Sequence, residues 1–413
     1  MSGVSAGFAT ELQSLGAGPG ERVALLCGNS IEIAIAMFGF HAAGAQVVPV
    51  NPTYTARELR HILADAAPLA VVYGEDIRDV VEPLLKELNI KHGIRIGDDG
   101  RRRLDTWKDD QTIRLPEPLP GPDNLATLQY TGGTTGLPKG VNTTHRQMSV
   151  NISQLEVPVP TTMDDEIILC VMPLFHVFAV SVCLHLALYC RGSLILLTRY
   201  RPDLVIEAIE REKATFLPFV PTIFNGLLAY QDLDKADFSS VRRGLSGSAP
   251  LPEKTLRQWQ DLYNLLIFEG YGQSEAGPVI FLNSADRDIV PGSIGPPLPL
   301  TEIKIADVAT GDKILATGEQ GEICLRGPQI MLGYRNRPEE TAAALRQGWL
   351  FTGDIGELDE AGNLYIRDHK KNMALGGSYN VYPREIDEVL YTHPDVIEAK
   401  LLLPRLYSGM AAA

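Results

Sequence analysis

A glycine- and threonine-rich segment at residues 130–141, Tyr-Thr-Gly-Gly-Thr-Thr-Gly-Leu-Pro-Lys-Gly-Val, carries the clearest chemical signal in the sequence. Glycines let the backbone approach a ligand closely. Exposed backbone N–H groups and threonine hydroxyls can then donate to phosphate oxygens, and Lys139 adds a positive charge. A strand predicted at residues 125–130 leads into this segment. A flexible surface loop with a stray lysine is the weaker interpretation, because three threonines, four glycines and a lysine share one short span.

The segment differs from two familiar nucleotide-binding patterns. Pro138 stands where the pattern G-x-x-x-x-G-K-[ST] requires its second glycine. No G-x-G-x-x-G fingerprint follows a predicted strand, so the sequence does not support a nicotinamide or flavin site.

Other segments place polar side chains where predicted strands end. A strand at residues 265–269 leads into Gly-Tyr-Gly-Gln-Ser-Glu at residues 270–275, which offers an aromatic plate, a hydroxyl and a carboxylate on one tight turn. Residues 246–251, Ser-Gly-Ser-Ala-Pro-Leu, lie between a strand and a helix. Residues 349–354 contain a Thr-Gly-Asp turn, and His176 ends an apolar strand. Each segment alone also fits a structural role, as a turn, a helix start or a core histidine.

In their order, and over nearly the whole chain, these motifs resemble those of the adenylate-forming superfamily of acyl- and aryl-CoA synthetases, peptide-synthetase adenylation domains and luciferases. The Thr-Gly-Gly at residues 131–133 resembles fatty-acyl-CoA ligases in particular. The resemblance implies ATP-dependent conversion of a carboxylic acid, expected to be a fatty acid, to an acyl-adenylate and then to a CoA thioester. The implied cofactors are ATP, Mg²⁺ and coenzyme A. Residues 321–341, with Gly333 and Tyr334, also match and are interpreted as structural.

The resemblance assigns roles to individual residues. The implied catalytic residues are Thr131, Glu275 and Lys371, of which Thr131 and Glu275 would also hold the metal. The implied nucleotide-binding residues are Thr131, Gly132, Gly133, Thr134, Thr135, Gly136, Lys139, Gly247, Ser248, Ala249, Pro250, Glu269, Gly270, Tyr271, Gly272, Ser274, Asp354 and His369. The implied acyl-substrate residues are His176, Val220, Gly247 and Gly272, and the implied CoA residues are Gly376, Gly377 and Ser378.

Within these sets the resemblance gives each group a task. Tyr271 would stack on adenine, the Ser274 hydroxyl would meet the α-phosphate, and Glu275 would hold Mg²⁺. The Asp354 carboxylate can accept hydrogen bonds from both ribose hydroxyls. His176 would gate the acyl tunnel.

Strands and helices that alternate with short loops must position these groups, which predicts an α/β fold with a mostly parallel sheet. Asn29 or Ser30 can begin a helix that ends near Ala43, and Thr55 with Glu58 forms a capping box. Further strands are predicted at 22–27, 46–50, 69–73, 167–172, 193–197, 215–220 and 241–245. Further helices are predicted at 178–190, 202–212, 221–230 and 251–263. After Pro291, short strands at 302–307, 321–326, 355–358 and 363–367 with glycine-rich turns predict a small antiparallel barrel or sheet.

The predicted organisation follows the adenylate-forming ligase fold. A large N-terminal domain of mostly parallel sheets with flanking helices carries a small β-barrel-like subdomain, and an incomplete small α+β C-terminal domain follows. The predicted ranges are 1–290 for the α/β subdomains, 291–367 for the antiparallel subdomain, 368–372 for a hinge and 373–413 for the last domain. The last range offers one helix near 384–390 and one strand near 398–403.

Two departures from the family pattern bear on activity. The hinge reads Asp-His-Lys-Lys-Asn at residues 368–372, so His369 replaces an arginine, and a neutral imidazole is a poorer partner for ribose oxygens than a guanidinium. The catalytic lysine that relatives carry near the end of the small domain has no counterpart here. We therefore expect turnover to be doubtful. The alternatives are a non-catalytic remnant that binds ATP or an acyl-adenylate, and an aryl-CoA, coumarate-like ligase, since Ala-Gly-Pro at 276–278 also occurs in aryl-CoA ligases.

Composition bounds the partners and the compartment. The chain has 413 residues, 45% of them hydrophobic, and a net charge of −14 without a long basic run, which disfavours nucleic acid. Five cysteines without a C-x-x-C pair predict buried thiols and a cytoplasmic location. No signal-like segment opens the sequence. The longest uncharged stretch, 171–190, contains a proline and two histidines, so at most peripheral membrane contact is expected. A homodimer is left open.

Overall fold

The computed structural model describes residues 2–96, 107–131, 137–370, 374–376 and 379–381. Two mostly parallel sheets with flanking helices and a smaller antiparallel sheet account for most of this part of the chain. The predicted α/β architecture is therefore confirmed. The predicted elements near 384–390 and 398–403 lie outside the described residues.

The first sheet is parallel at its centre and antiparallel at one edge. Its strands are β1 (Arg22–Leu26), β2 (Gln46–Pro49), β3 (Ala70–Gly74), β4 (His92–Ile96), β5 (Leu125–Thr131), β6 (Lys139–Thr144) and β15 (Gly333–Tyr334). Their order is β15-β6-β5-β2-β1-β3-β4, with β5, β6 and β15 joined antiparallel. Its helices are α1 (Ser2–Ser14), α2 (Ile31–Ala43), α3 (Ala56–Ala66), α4 (Arg78–Glu87) and α5 (His145–Leu155).

Local sequence signals explain where two of these helices begin. The Ser30 side chain accepts a hydrogen bond from the Ile33 N–H and caps α2. Thr55 and Glu58 form the predicted capping box at the start of α3. Both predicted helix starts are confirmed.

The second sheet repeats the alternation of strand and helix. Its strands are β7 (Ile167–Cys170), β8 (Ser193–Leu196), β9 (Phe216–Phe219), β10 (Arg243–Ser246), β11 (Ile267–Tyr271) and β12 (Phe281–Leu282). Their order is β12-β11-β10-β9-β7-β8, and only the β11–β12 pair is antiparallel. Its helices are α6 (residues 177–189), α7 (Pro202–Glu212), α8 (Pro221–Leu228) and α9 (Glu253–Tyr263). The α6 helix contains a π-helical stretch, Val180–His185, and such stretches often mark functional sites.

One continuous buried cluster contains residues of α2, of α6 and of both parallel sheets. The ring of Phe38 in α2 lies 6.0 Å from that of His185 in α6. These two helices therefore pack against each other within the core that joins the two sheets.

The third sheet is antiparallel. Its strands are β13 (Glu302–Ala306), β14 (Gly321–Arg326), β16 (Leu345–Arg346), β17 (Trp349–Leu358) and β18 (Leu364–His369), with α10 (Pro338–Ala344) beside them. The order is β13-β14-β17-β16, and β18 also pairs with β17. A short hairpin of β19 (Ala374–Gly376) and β20 (Tyr379–Val381) follows.

The predicted Thr-Gly-Asp turn at residues 352–354 is wrong, because these residues lie inside β17. The register of the β14–β17 pair shifts between Phe351 and Ile355, Asp354 pairs with His369 of β18, and Gly353 takes a positive φ of 76°. Among the described residues, no helix combines the length and the apolar character needed to cross a membrane. The predicted domain boundaries stay predictions.

Phe224→Ala should destabilise the second half of the fold strongly. The Phe224 side chain is fully buried, and its ring lies 5.4 Å from that of Phe219 and 5.7 Å from that of Trp259. We expect the free energy of unfolding, measured by urea denaturation, to fall by about 3–5 kcal/mol. The control Leu262→Ala, at an exposed position of the neighbouring helix α9, should change it by no more than about 0.5 kcal/mol. Equal effects of the two substitutions would contradict this packing.

Candidate active site

The ends of the predicted phosphate loop are held together by a hairpin. Thr131 is the last residue of β5 and Lys139 is the first residue of β6, and the two face each other in the antiparallel register. The Thr131 hydroxyl lies 3.5 Å from the Lys139 carbonyl oxygen. The residues between them that were assigned to phosphate binding lie outside the described residues, namely Gly132, Gly133, Thr134, Thr135 and Gly136.

Tyr334 connects the two charged groups that were predicted to meet phosphate and metal. The Lys139 ammonium lies 4.1 Å from the centre of the Tyr334 ring, within the range of a cation–π contact. The Tyr334 hydroxyl donates to Glu275 Oε1 at 2.9 Å. Sequence analysis treated Tyr334 as structural and missed this role, since only the pairing of β15 with β6 brings it to Lys139.

Glu275 is a partly desolvated carboxylate. Burial raises its pKa, and the Tyr334 hydrogen bond and the charge of Lys139 oppose that rise. In the same contact, burial and the charge of Glu275 raise the pKa of Tyr334, so the phenol stays a donor. Because the ionised form of Glu275 is poorly solvated, a cation bound beside it would stabilise the ionised carboxylate.

The two side chains predicted to hold the metal carry atoms of a kind that fits Mg²⁺. The Thr131 hydroxyl and the Glu275 carboxylate are oxygen ligands, which Mg²⁺ prefers, and Mg²⁺ commonly takes one or two carboxylates and fills its shell with water and phosphate oxygens. In the described ranges no group of three or more His, Cys, Asp or Glu side chains could hold a metal. A metal ion here would thus depend on the nucleotide for its remaining ligands.

The buried carboxylate of Asp354 joins residues from three separate motifs. Its Oδ2 atom accepts hydrogen bonds from the Tyr271 hydroxyl at 2.5 Å and from Gln273 Nε2 at 3.2 Å. Its Oδ1 atom contacts His369 Nδ1, and Asp354 and His369 are opposite each other in the β17–β18 pair. Burial, and then the charge of Asp354, raise the pKa of Tyr271 well above its ordinary value, so its hydroxyl remains a donor.

A second buried carboxylate fixes the start of the predicted hinge. Lys370 Nζ donates to Glu322 Oε2 at 2.8 Å, and Glu322 Oε1 accepts from the Gly353 N–H at 3.1 Å. The strand that carries Asp354 is therefore connected to His369 directly, and to Lys370 through Glu322. Lys371 lies outside the described residues.

The loop after β10 packs closely on α6. A Cβ atom at Gly247 would lie 3.1 Å from the Phe178 ring. Ser248 adopts a left-handed φ of 67°, which is uncommon for a side chain of this kind. Ala249 and Pro250 are exposed, and the Glu269 carboxylate accepts from the Leu251 N–H at 3.2 Å, which holds the end of the loop.

Gly272 cannot carry a side chain where it stands. A Cβ atom there would lie 2.1 Å from the Pro278 carbonyl oxygen, far inside van der Waals contact. Gly270, one position before Tyr271, belongs to β11 and pairs with Leu282. The backbone of Gly272 thus lies directly against that of Pro278. This close approach fixes the turn between them, which carries Ser274 and Glu275.

The remaining assigned residues are dispersed. His176 caps α6, with Nδ1 accepting from the Phe178 N–H at 3.3 Å, and its side chain is exposed. Val220 precedes α8 and is half-buried. Gly376 lies in β19, whereas Gly377 and Ser378 lie outside the described residues.

A cavity that sequence reasoning missed opens beside Ser274, between the two parallel sheets. Its empty space of about 580 Å³ includes open solvent. Its lining comes from α2, α5, α6, β2, β5, β6, the turn after β11 and the segment after β14: Met37, Pro49, Thr127, Gln129, Thr143, Gln147, Met148, Val177, Val180, Ser181, His185, Ser274, Gly277, Pro278 and Gln329. Apart from Ser274, Gly277 and Pro278, these residues belong to none of the motifs found in the sequence, because they meet only through tertiary packing.

Comparison with known families agrees with this arrangement. A family model described as AMP-binding enzyme matches residues 5–335, more than half of the chain. The chain belongs to the AMP-binding enzyme family. The predicted superfamily is thereby confirmed.

Relatives and solved structures extend the match. The chain is 36% identical over 433 aligned positions to the long-chain-fatty-acid–CoA ligase of Bacillus subtilis (strain 168), covering 97% of this chain and 77% of that protein. It is 33% identical over 404 positions to 4-coumarate-CoA ligase 1 of Narcissus pseudonarcissus, covering 95% and 73%. The crystal structure of ATP-bound MatB from Rhodopseudomonas palustris superposes with a TM-score of 0.88 at 31% identity, covering 96% of this chain and 78% of MatB.

Glu275→Gln should change stability and nucleotide binding in opposite directions. Because burial raises the pKa of Glu275 in the folded protein, the folded state keeps a proton over a pH window in which the unfolded state has lost it. The free energy of unfolding therefore falls as pH rises through this window. Glutamine carries no charge and still accepts from Tyr334, so we expect the nucleotide-free variant to be at least as stable as the original protein above the window.

The same variant should bind Mg·ATP more weakly, by about 1–3 kcal/mol, the range for hydrogen bonds to charged groups. Calorimetry measures the binding, and urea unfolding at acidic and alkaline pH measures the stability. Glu302→Gln, at an exposed carboxylate paired with Arg326, is the matched control and should leave Mg·ATP affinity unchanged. Unaltered affinity in Glu275→Gln would remove Glu275 from the site.

Proposed function

We propose that this chain activates a fatty acid with ATP. The carboxylate attacks the α-phosphate and releases pyrophosphate, which leaves an acyl-adenylate. The thiol of coenzyme A then attacks the acyl carbon and releases AMP, which leaves an acyl-CoA thioester. The observation that carries the proposal is one turn, residues 271–275, that meets Asp354 at its start and the Tyr334–Lys139 pair at its end.

The enzyme class follows from the family and its named members. The chain is an AMP-forming acid–thiol ligase that uses ATP, Mg²⁺ and coenzyme A, and relatives named as CoA ligases bear out this prediction. A carboxylic acid and CoA are its expected partners. A cytoplasmic location, a homodimer and the individual site assignments remain predictions.

The geometry supplies positioning and charge for the first step. Asp354 accepts three contacts and a carboxylate offers about four acceptor sites, so ribose hydroxyls would share or replace those contacts. At the other end of the turn, Lys139 and the hydroxyls of Thr131 and Ser274 would face the phosphates. Donors fixed in advance stabilise the charge that develops on an α-phosphate most effectively. Bound Mg²⁺ at Thr131 and Glu275 would neutralise phosphate charge.

The acid is proposed to be a fatty acid because two observations agree. The Bacillus relative is named for long-chain fatty acids, and the cavity beside Ser274 has apolar walls at Met37, Met148, Val177 and Val180. An aryl acid is the second candidate, since the Narcissus relative is named a 4-coumarate ligase at 33% identity.

Acid-dependent exchange of pyrophosphate into ATP tests the proposal. We expect exchange with octanoate, decanoate and palmitate to exceed that with 4-coumarate by about tenfold, the scale on which an apolar pocket discriminates. Lys304→Ala is a suitable control, because this lysine packs over Trp349 on the third sheet, and it should exchange at the original rate. Exchange with 4-coumarate alone would favour the aryl reading, and no exchange with any acid would contradict the proposed activity.

A further inference from the structure

Helix α3 lies behind the hairpin that holds the ends of the predicted phosphate loop. The Tyr130 ring belongs to a buried cluster that includes Leu59, Ile62 and Leu63 of α3. Successive side chains of a strand point to opposite faces of the sheet, so the Thr131 side chain projects away from α3. The helix therefore supports the hairpin from the face opposite to that of the predicted phosphate and metal ligand.

Two polar side chains of α3 reach the hairpin, and His61 is the first. Its Nε2 atom lies 3.3 Å from the Pro138 carbonyl oxygen. Because a carbonyl oxygen only accepts, this nitrogen carries the proton of the hydrogen bond. Pro138 directly precedes Lys139, whose ammonium was predicted to meet phosphate. His61 therefore fixes the backbone from which that ammonium extends.

Asp65 is the second polar side chain, about one turn further along the same side of α3. Its Oδ2 atom accepts from the Tyr130 hydroxyl at 2.6 Å, and its Oδ1 atom accepts from Asn336 Nδ2 at 3.1 Å. The backbone carbonyl of Asp65 accepts from Arg335 Nε at 2.8 Å. One residue of α3 thus connects the position before Thr131 to the segment that follows β15.

The contact between Tyr130 and Asp65 is a stable pairing of donor and acceptor. Burial, and then the hydrogen bond and charge of Asp65, raise the pKa of Tyr130, so its hydroxyl keeps its proton. Arg22 donates to the Ala66 carbonyl, and Arg335 donates to that of Asp65. Two guanidinium groups therefore lie beside this end of α3, where they offset the negative charge of the carboxylate.

The Tyr130 ring also covers the first residues of β6. Tyr130 and Gly140 are opposite each other in the β5–β6 register. A Cβ atom at Gly140 would lie 2.8 Å from Leu128 Cδ1 and 3.1 Å from the Tyr130 ring. The ring thus packs directly on the backbone that follows Lys139, and its hydroxyl bond to Asp65 holds it there.

These contacts support the site without belonging to it. His61 and Asp65 are among neither the residues assigned to nucleotide and metal nor those assigned to the acid. They act on Thr131 and Lys139 only through the residues directly before them. Donors that are fixed before a ligand arrives bind and stabilise phosphate charge more effectively than donors that the ligand must order.

We propose that His61 and Asp65 are positioning residues for Mg·ATP. They hold Thr131 and Lys139 in the arrangement that binds the β- and γ-phosphates, since the resemblance assigns the α-phosphate to Ser274. The inference rests on the proposed function for the roles of these phosphate-binding groups alone. Without the α3 contacts, Mg·ATP would have to order them on binding, and its affinity would fall. AMP lacks the β- and γ-phosphates, so its affinity should not depend on α3.

The readout is the Kd of Mg·ATP divided by the Kd of AMP, both measured by calorimetry without an acid. Tyr130→Phe deletes one oxygen and leaves the ring on Gly140, so this variant should fold. We expect the ratio to rise about fivefold, through Mg·ATP alone, on the scale of one hydrogen bond. Tyr73→Phe is the matched control, because the Tyr73 hydroxyl lies 3.4 Å from the Glu82 carboxylate in the same sheet. It should leave both affinities unchanged.

A second pair of variants tests the histidine. His61→Leu removes the donor to Pro138, whereas His61→Gln keeps an N–H donor at similar reach, and both leucine and glutamine are favourable in helices. We expect the ratio to rise about fivefold in His61→Leu and to be restored in His61→Gln. His92→Leu, at the start of β4, is the control and should keep the original ratio. A residue that served stability alone would change the melting temperature and leave the ratio as it was.

The outcomes separate this proposal from the proposed function. A ratio that stays unchanged in folded Tyr130→Phe and His61→Leu, or equal weakening of Mg·ATP and AMP, would overturn the positioning role. If the ratio shifts as expected but no acid supports pyrophosphate exchange, the positioning role stands and acid activation fails. An original protein that binds no Mg·ATP would overturn both. A rise in both variants, with rescue by His61→Gln and no change in either control, supports the proposal.

Discussion

The buried carboxylate of Asp354 is the contact on which the rest of the site depends. A charge with 5% exposure is costly unless hydrogen bonds compensate it, and here Tyr271, Gln273 and His369 supply them. These partners come from the second sheet and from the last strand of the third. One carboxylate therefore fixes how the third sheet meets the end of β11, and it holds the start of the hinge region against the same point.

The turn from Tyr271 to Glu275 connects the Asp354 contacts to the first sheet. Its far end meets Tyr334 and, through that ring, Lys139. All three sheets thus converge on five residues, whose path depends on a glycine at position 272 that allows no side chain. Nucleotide, metal and acid would be placed relative to one another by this turn more than by any single sheet.

Local signals in the sequence predicted much of this, and non-local contacts explain what they missed. The capping box at Thr55 and the strand before residues 270–275 are short-range patterns, and both are confirmed. The strand β6 was not predicted, because it is stabilised by its pairing with β5 across the loop and not by a pattern in its own sequence. Residues 352–354 look like a turn in isolation, but they lie within β17, where the pairing with β14 shifts in register and Asp354 pairs with β18. The contacts of Tyr334 and most of the cavity lining could not be predicted from motifs, since they arise where distant segments pack.

The affinity of AMP for Asp354→Asn, measured by calorimetry beside the original protein, tests the central claim most directly. Asparagine keeps an oxygen for the Tyr271 hydroxyl, so the variant should fold, which its melting temperature will show. If Asp354 holds the ribose and orders the turn, AMP affinity should fall about tenfold or more, as for lost hydrogen bonds to a charged group. An AMP affinity equal to that of the original protein, in a folded variant, would contradict the account.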